Sequence, residues 1–253
     1  MLTDLRRATS EVGAIALLTV RAFRALLTPP FELRLWLHQM EQLGVMSLAV
    51  ASVTMIFTGM VLALQTAYGL PELGVKYYIG TVVSKTLTRE LGPVLIGLIV
   101  GGRIGSGMTA ELGSMKVTEQ VDALRSMAAD PVKKLVAPKL AASLVMLPVL
   151  TMIGDVLGIF GGMVISVYEL NVAMGVYLND VTSTLDLSDL GSGLGKSVFF
   201  AYFITVIACH NGLTAEGGAD GVGRATTKTV VWTSIVILVS DFFLTKLFYI
   251  LGG

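Results

Sequence analysis

Five stretches of this chain are each apolar for about as many residues as a bilayer is thick, and that fact excludes most folds at once. A hydrocarbon core ~30 Å deep needs roughly 20 residues of helix. Runs of that kind occupy about 45–64, 91–110, 140–167, 198–213 and 230–251. The third is long enough to tilt, and the fourth is short unless its polar ends are counted. Only 14% of the residues are charged and 54% are hydrophobic, where a soluble domain carries about 25% charge. Many of the 28 glycines stand inside the apolar runs, which membrane helices tolerate and soluble helices avoid.

The same composition removes several functions. A net charge of zero gives no electrostatic reason to bind nucleic acid. A single cysteine, Cys209, excludes an intrachain disulfide and a cysteine zinc cluster. His38 and His210 lie far apart and have no metal-ligand spacing, so no metal is expected in this chain.

Lys and Arg in the connections give the orientation. With the N-terminus in the cytoplasm, Arg6, Arg7, Arg21, Arg24, Arg34, Lys116, Arg125, Lys133, Lys134, Lys139, Arg224 and Lys228 fall inside. Lys76, Lys85, Arg89, Lys196 and Lys246 fall outside, and Arg103 lies within a span. The bias of twelve to five predicts N-terminus in, C-terminus out. The connection after Tyr168 agrees, since it holds Glu169, Asp180, Asp186 and Asp189 and no cation before Lys196.

Residues 1–44 do not read as a cleaved leader, because Arg21 and Arg24 close the apolar stretch early and no A-x-A site follows. Val12, Ile15, Ala16, Thr19, Val20, Phe23, Leu26 and Leu27 recur at helical spacing. After Pro29 and Pro30 a second stripe runs through Leu33, Trp36, Leu37, Met40 and Leu43, with Glu32, Arg34, Gln39, Glu41 and Gln42 opposite. The expectation is an elbow lying in the membrane interface.

The second span reads Arg89-Glu90-Leu91-Gly92-Pro93 and later Gly102-Arg103-Ile104-Gly105. Gly97, Gly101 and Gly105 are four apart and line one face, as do Gly154, Gly158 and Gly162 in the third span. Small residues there let another helix approach closely. Arg103, Asp155 and Asp241 cost ~2.5–3.5 kcal/mol each near a helix centre, so each should meet protein or a wet cavity. Internal ion pairing and a cargo path are both open readings.

Between the second and third spans, Val117, Val121 and Leu124 keep helical spacing while Glu119, Gln120 and Asp122 point elsewhere. Asp130 and Pro131 look like an N-cap and first helical residue. The segment suits a cytoplasmic docking helix, and equally a solvated loop helix. Two decoys can be set aside. Gly191 to Ser197 nearly spells a P-loop, but Leu190 stands where the first glycine belongs. Gly217 to Gly223 lacks dinucleotide spacing and reads as a flexible hairpin. Rival readings are a secondary transporter, for which no internal repeat is visible, and a membrane hydrolase built on Ser106, which would need His210 as base.

The runs Arg89-Glu90-Leu91-Gly92-Pro93, Gly102 to Gly105, Ala110-Glu111-x-Gly113, Thr118-Glu119-Gln120 through Asp130-Pro131, and Gly223-Arg224-Ala225-Thr226-Thr227 leading to Asp241-Phe242 resemble the MlaE/YrbE permease family. The resemblance implies an all-α integral membrane protein, with interfacial elbow helices over 1–44 and a permease domain over 45–251. It implies a permease subunit of an ABC transporter that moves phospholipids between inner and outer bacterial membranes. Two copies would pair, each on one subunit of an ATPase dimer that binds ATP and Mg; this chain itself would carry no cofactor and catalyse nothing. A periplasmic MCE-domain protein, hexameric in the family, would stand above a lipid pocket. Arg89, Glu90 and Lys196 would lie on the lipid path or face that protein. The region 111–130 would be the coupling helix, with Glu111, Thr118, Glu119, Gln120, Asp122 and Leu124 facing the ATPase.

Overall fold

The computed structural model describes residues 2–29, 33–69 and 78–252, and every regular element among them is helical. Helix α1 is Leu2–Leu27 and α2 is Leu33–Gly69. Helix α3, Ile79–Val117, is one rod containing two π-helical turns, Leu87–Leu91 and Gly101–Gly105. A short α4, Gln120–Ser126, precedes α5, Val132–Tyr168, whose first turn is also π-helical. Then come α6 (Met174–Thr184), α7 (Leu187–Leu213) and α8 (Gly218–Gly252). Five of these, α2, α3, α5, α7 and α8, are long and apolar enough to cross a membrane.

These helices outrun the expected spans, at both ends except in α7, which ends at Leu213 as expected. Hydropathy marks only the residues opposite acyl chains, whereas the helix continues into polar ends that bond within the protein. The consequence is plainest in α2, which passes through Leu43 and Gly44 without a break. The second elbow stripe is therefore the first part of a spanning helix. Pro30, Glu32 and Lys76 lie outside the described residues. The stretch after Gly217 is no hairpin either. Gly217 and Gly218 take positive φ, 89° and 68°, and α8 is helical from Gly218 onward.

The chain divides into two compact units. The first comprises Met1–Leu43, Val100–Met146 and Phe200–Ile237. Its core gathers Ala22, Leu112, Val136, Leu140 and Cys209, with Leu18, Leu26 and Tyr202 packed around them. One face of α1 is thus covered by protein, while Val12, Leu17 and Leu27 on other faces are exposed. A polar knot joins α3, α7 and α8: Thr109 Oγ1 bonds the carbonyl of Ala208 at 3.1 Å and the Thr229 hydroxyl at 2.8 Å, and Asn211 donates to Thr229 at 3.0 Å. Such bonds act as glue where lipid offers no alternative partner.

The second unit comprises Gly44–Ile99, Leu147–Phe199 and Leu238–Gly253. Here α2 and α5 cross backbone to backbone. A Cβ on Gly59 would overlap the Gly158 carbonyl, and one on Gly161 would overlap that of Ile56. Helix α6 is pinned to its neighbours by polar side chains. Asp180 accepts the Thr81 N–H at 2.7 Å, where the first turn of α3 has orphan donors. The Tyr177 hydroxyl donates to the Ile159 carbonyl at 3.0 Å.

The outward face of α5 carries Val145, Val149, Met152, Val156 and Phe160, all exposed and at helical spacing. Helix α8 does the same with Val231, Ile235, Leu238, Phe242 and Tyr249. Apolar stripes of that length belong against hydrocarbon, not water.

Candidate functional site

Proline at position 93 organises the first site. It has no N–H, so the carbonyls one turn earlier lose a partner. The helix responds with the π turn Leu87–Leu91, in which the Gly92 N–H reaches the Leu87 carbonyl. Helix α7 covers what remains. Lys196 Nζ donates to the freed Arg89 carbonyl at 2.9 Å. Gly193, one turn away on α7, lets the Thr88 carbonyl come so close that any Cβ would overlap it.

Lys196 is only 1% exposed. Besides Arg89 O it holds Glu90 Oε2 at 2.5 Å and Thr245 Oγ1 at 2.7 Å, and Asp241 Oδ1 stands 3.2 Å away. Arg89 turns its Nε toward Asp189 Oδ1 at 3.4 Å. Asp189 also accepts the Asp186 N–H at 3.1 Å, closing the first turn of α7 as a capping box does. These groups border a cavity of about 350 Å³ lined by Lys85, Thr86, Arg89, Glu90, Ser192, Lys196, Thr245, Phe248 and Tyr249. Three residues singled out in the sequence, Arg89, Glu90 and Lys196, therefore meet in one place. Asp241 and Thr245 complete the site, and only the cost of a charge in a span hinted at the first.

Asp155 shows a different solution. It is buried, its Oδ1 has no hydrogen-bond partner among the described residues, and it packs where a Cβ on Gly92 would stand. Arg103 lies at the surface of the chain.

A second buried lysine was not anticipated. Lys139 on α5, 2% exposed, bonds Glu111 Oε2 at 2.6 Å and Gln39 Oε1 at 3.1 Å. Glu111, expected to face an ATPase, thus has its charge engaged inside its own chain, although its side chain stays half exposed. Near it α3 ends at Val117, Glu119 turns with φ 59°, and α4 begins. Val121 is buried and Leu124 half-buried, so the apolar side of α4 packs on its own unit. Thr118, Glu119 and Gln120 are exposed. Asp122 is taken up by Lys116 at 2.8 Å and Arg125 at 2.9 Å. The bond from Lys116, then the two positive charges, hold its carboxyl below the usual aspartate range despite some opposing desolvation. Asp130 Oδ1 accepts the Val132 N–H at 2.9 Å, as an N-cap should.

The helix-face glycines sit as follows. Gly101 and Gly105 both face Ile204; Gly154 faces Met55 and Ile96, Gly158 faces Met55 and Leu87, and Gly162 faces Val83 and Tyr177. Gly97 is buried. The near-P-loop lies wholly inside α7, with no loop to cradle a phosphate. Ser106 donates to its own Arg103 carbonyl at 3.0 Å, leaving the hydrolase reading without an activated nucleophile.

An all-helical chain with five spanning helices, apolar outward stripes and an ion-paired cavity is a multi-pass membrane protein built to hold polar groups inside. Comparison with known sequences narrows the class. The family described as Permease MlaE matches residues 36–247, and this chain belongs to that family. A Rickettsia typhi protein named "probable ABC transporter permease protein" is 44% identical over 239 residues, covering 94% of this chain and 92% of its own. The intermembrane phospholipid transport system permease protein MlaE of Haemophilus influenzae is 39% identical, covering 85% and 83%. TRIGALACTOSYLDIACYLGLYCEROL 1 of Arabidopsis thaliana, a chloroplastic protein, is 37% identical, covering 84% of this chain and 61% of that one. The protein is a permease subunit of the ABC transporter type.

Proposed function

We propose that this permease carries phospholipids between the inner and outer membranes of a bacterium, with its N-terminus in the cytoplasm. The observation that carries the reading is the convergence of Arg89, Glu90 and Lys196 on one cavity beside exposed apolar helices. Charged groups at the cavity suit a headgroup, and the stripes on α5 and α8 suit acyl chains. The relative named for intermembrane phospholipid transport supports the cargo, and the excess of Lys and Arg in alternate connections supports the orientation.

In this reading two copies pair, an ATPase dimer docks from the cytoplasm, and a hexameric MCE-domain protein receives or supplies lipid at the periplasmic side. ATP and Mg stay on the ATPase. The docking surface would centre on Thr118, Glu119 and Gln120, which face outward, with Asp122 and Glu111 beside them also holding α3, α4 and α5 together. Because Lys139 ties α5 to Glu111 on α3, a push on α4 moves both helices at once.

Replacing Glu119 and Gln120 with Lys should strip the ATPase from the purified permease and abolish lipid-stimulated ATP turnover. Full co-purification with unchanged turnover would remove the docking claim. A mass spectrum of the wild-type complex containing no glycerophospholipid would remove the cargo claim.

A further inference from the structure

We infer that the cavity beside α3 grips a phosphate group with Lys85 and Arg89, and that Lys196 is closed to ligand. The inference rests on the transport reading above and assigns its headgroup contacts.

An ammonium has three N–H bonds to give. Those of Lys196 go to Glu90 at 2.5 Å, Thr245 at 2.7 Å and the Arg89 carbonyl at 2.9 Å. Asp241 Oδ1 stands 3.2 Å from the same nitrogen as a second, buried carboxylate oxygen. Two carboxylates therefore share one buried cation whose donors are spent. An incoming anion would have to displace Glu90 and then face Asp241, so that corner of the cavity repels anions.

Lys85 presents the opposite case. It lies one helical turn before Arg89 on the same face of α3 and lines the same cavity. It is half-buried and makes no hydrogen bond or ion pair with any described residue. Arg89 commits its Nε to Asp189, and its side chain, 41% exposed, makes no other bond among the described residues. A lysine point charge and a guanidinium fork side by side are the usual pair for phosphate oxygens. A cavity of about 350 Å³ takes a headgroup, with Phe248 and the exposed Tyr249 on its rim toward the acyl chains. Lys196 is then a positioning residue. It satisfies the carbonyl that Pro93 frees, and so holds the turn from which Arg89 projects.

The phosphate could arrive on a lipid or as a free ion, and binding to the purified transporter complex separates these. The probes are dioctanoylphosphatidylglycerol, dioctanoylglycerol and inorganic phosphate. Lys85→Gln should weaken phosphatidylglycerol binding about tenfold, the worth of one charge-assisted bond, and leave dioctanoylglycerol unchanged. Lys85→Arg should restore most of the loss. Lys196→Met should weaken phosphatidylglycerol through the turn that carries Arg89, so its effect should disappear once Arg89 is already Gln, whereas a direct phosphate contact would add to Arg89→Gln. The assignment is overturned if Lys85→Gln leaves phosphatidylglycerol binding intact, or if Lys196→Met weakens it as much in an Arg89→Gln background as in the wild type. Should Lys196→Met fail to accumulate, the Lys85 variants decide by themselves. Lys85-dependent binding of inorganic phosphate with no lipid bound would uphold the phosphate site and sink the lipid reading. Equal binding of both lipids by the wild type would sink the phosphate site and leave lipid carriage standing.

Discussion

The two units each bury a lysine against a glutamate of α3, and the two pairs are built for different ends. In the first unit Lys139 meets Glu111 and Gln39, with one negative charge for one positive. In the second, Lys196 meets Glu90, Thr245 and a backbone carbonyl, with Asp241 as a surplus carboxylate, on the wall of a cavity. The first arrangement is a splice between helices. The second is a wall that must keep its shape while a ligand comes and goes. Charge balance and a neighbouring cavity, more than the lysine itself, separate the two roles.

The comparison breaks if the lysines are equivalent. Lys196→Met would leave Glu90 and Asp241 facing each other without a cation and the Arg89 carbonyl without its donor; because Glu90 is 39% exposed, the cost should fall near the low end of the ~3–5 kcal/mol of a buried pair. Lys139→Met leaves only Glu111, whose side chain is 47% exposed and can rehydrate, so the cost should be nearer ~1–2 kcal/mol. Denaturation midpoints in one detergent would rank them. Adding Glu90→Gln to Lys196→Met should recover part of the loss, whereas equal effects of the two single variants would erase the distinction.

How far the sequence reaches is clear from the same residues. Arg89, Glu90 and Lys196 are marked by the resemblance to the MlaE/YrbE family, and no charge or spacing pattern of their own points to a shared site. Their meeting with Thr245 and Asp241 depends on how α7 and α8 pack on α3, and no periodicity encodes that. Lys139 looked like one more cytoplasmic cation because a buried lysine and an exposed one have the same letter. The hydrophobic centres of the spans were legible, but their polar ends were not, since hydropathy is silent where hydrogen bonds take over. The π turns of α3 follow from Gly92-Pro93 in the first case. For the second, at Gly101–Gly105, no single residue forces the turn. An interval of four marks the glycine rows of the second and third spans, and Gly59 and Gly161 fall outside it, although Gly161 lies three residues from Gly158 on nearly the same face.

Those glycines sharpen the contrast at a smaller scale. In the second unit Gly59 and Gly161 press on backbone carbonyls, which cannot rotate away. In the first unit a Cβ on Gly105 would meet methyl groups of Ile204 and Thr229 at 3.4 Å, ordinary contact that a side chain can relax. Gly161→Ala should therefore cost about 1–3 kcal/mol through overpacking. Gly105→Ala should stay within about 0.5 kcal/mol, helped by the better helix propensity of alanine. Thermal scans of the two variants would show a clear drop for the first only. A larger drop for Gly105→Ala would mean that backbone contact does not set these two positions apart.

The smallest effect concerns the corner between α3 and α4, where the first unit meets solvent. Lys116, chiefly through its hydrogen bond, and Arg125 lower the Asp122 pKa in the folded chain. A carboxyl that is more acidic when folded adds stability above its unfolded pKa, ~4 for aspartate, and loses it as pH falls through the folded value. The corner should therefore be indifferent to pH between about 6 and 8 and loosen only below about 4. Pulse-labelled hydrogen exchange in Gln120–Ser126, after brief exposure to each pH, would report it as faster labelling on the acid side. Asp122→Asn should label at one intermediate rate throughout. If the wild type and Asp122→Asn lost protection in parallel as the pH fell, the acid sensitivity would belong to other carboxylates, and the Lys116–Asp122–Arg125 triad would be ornamental to the position of α4.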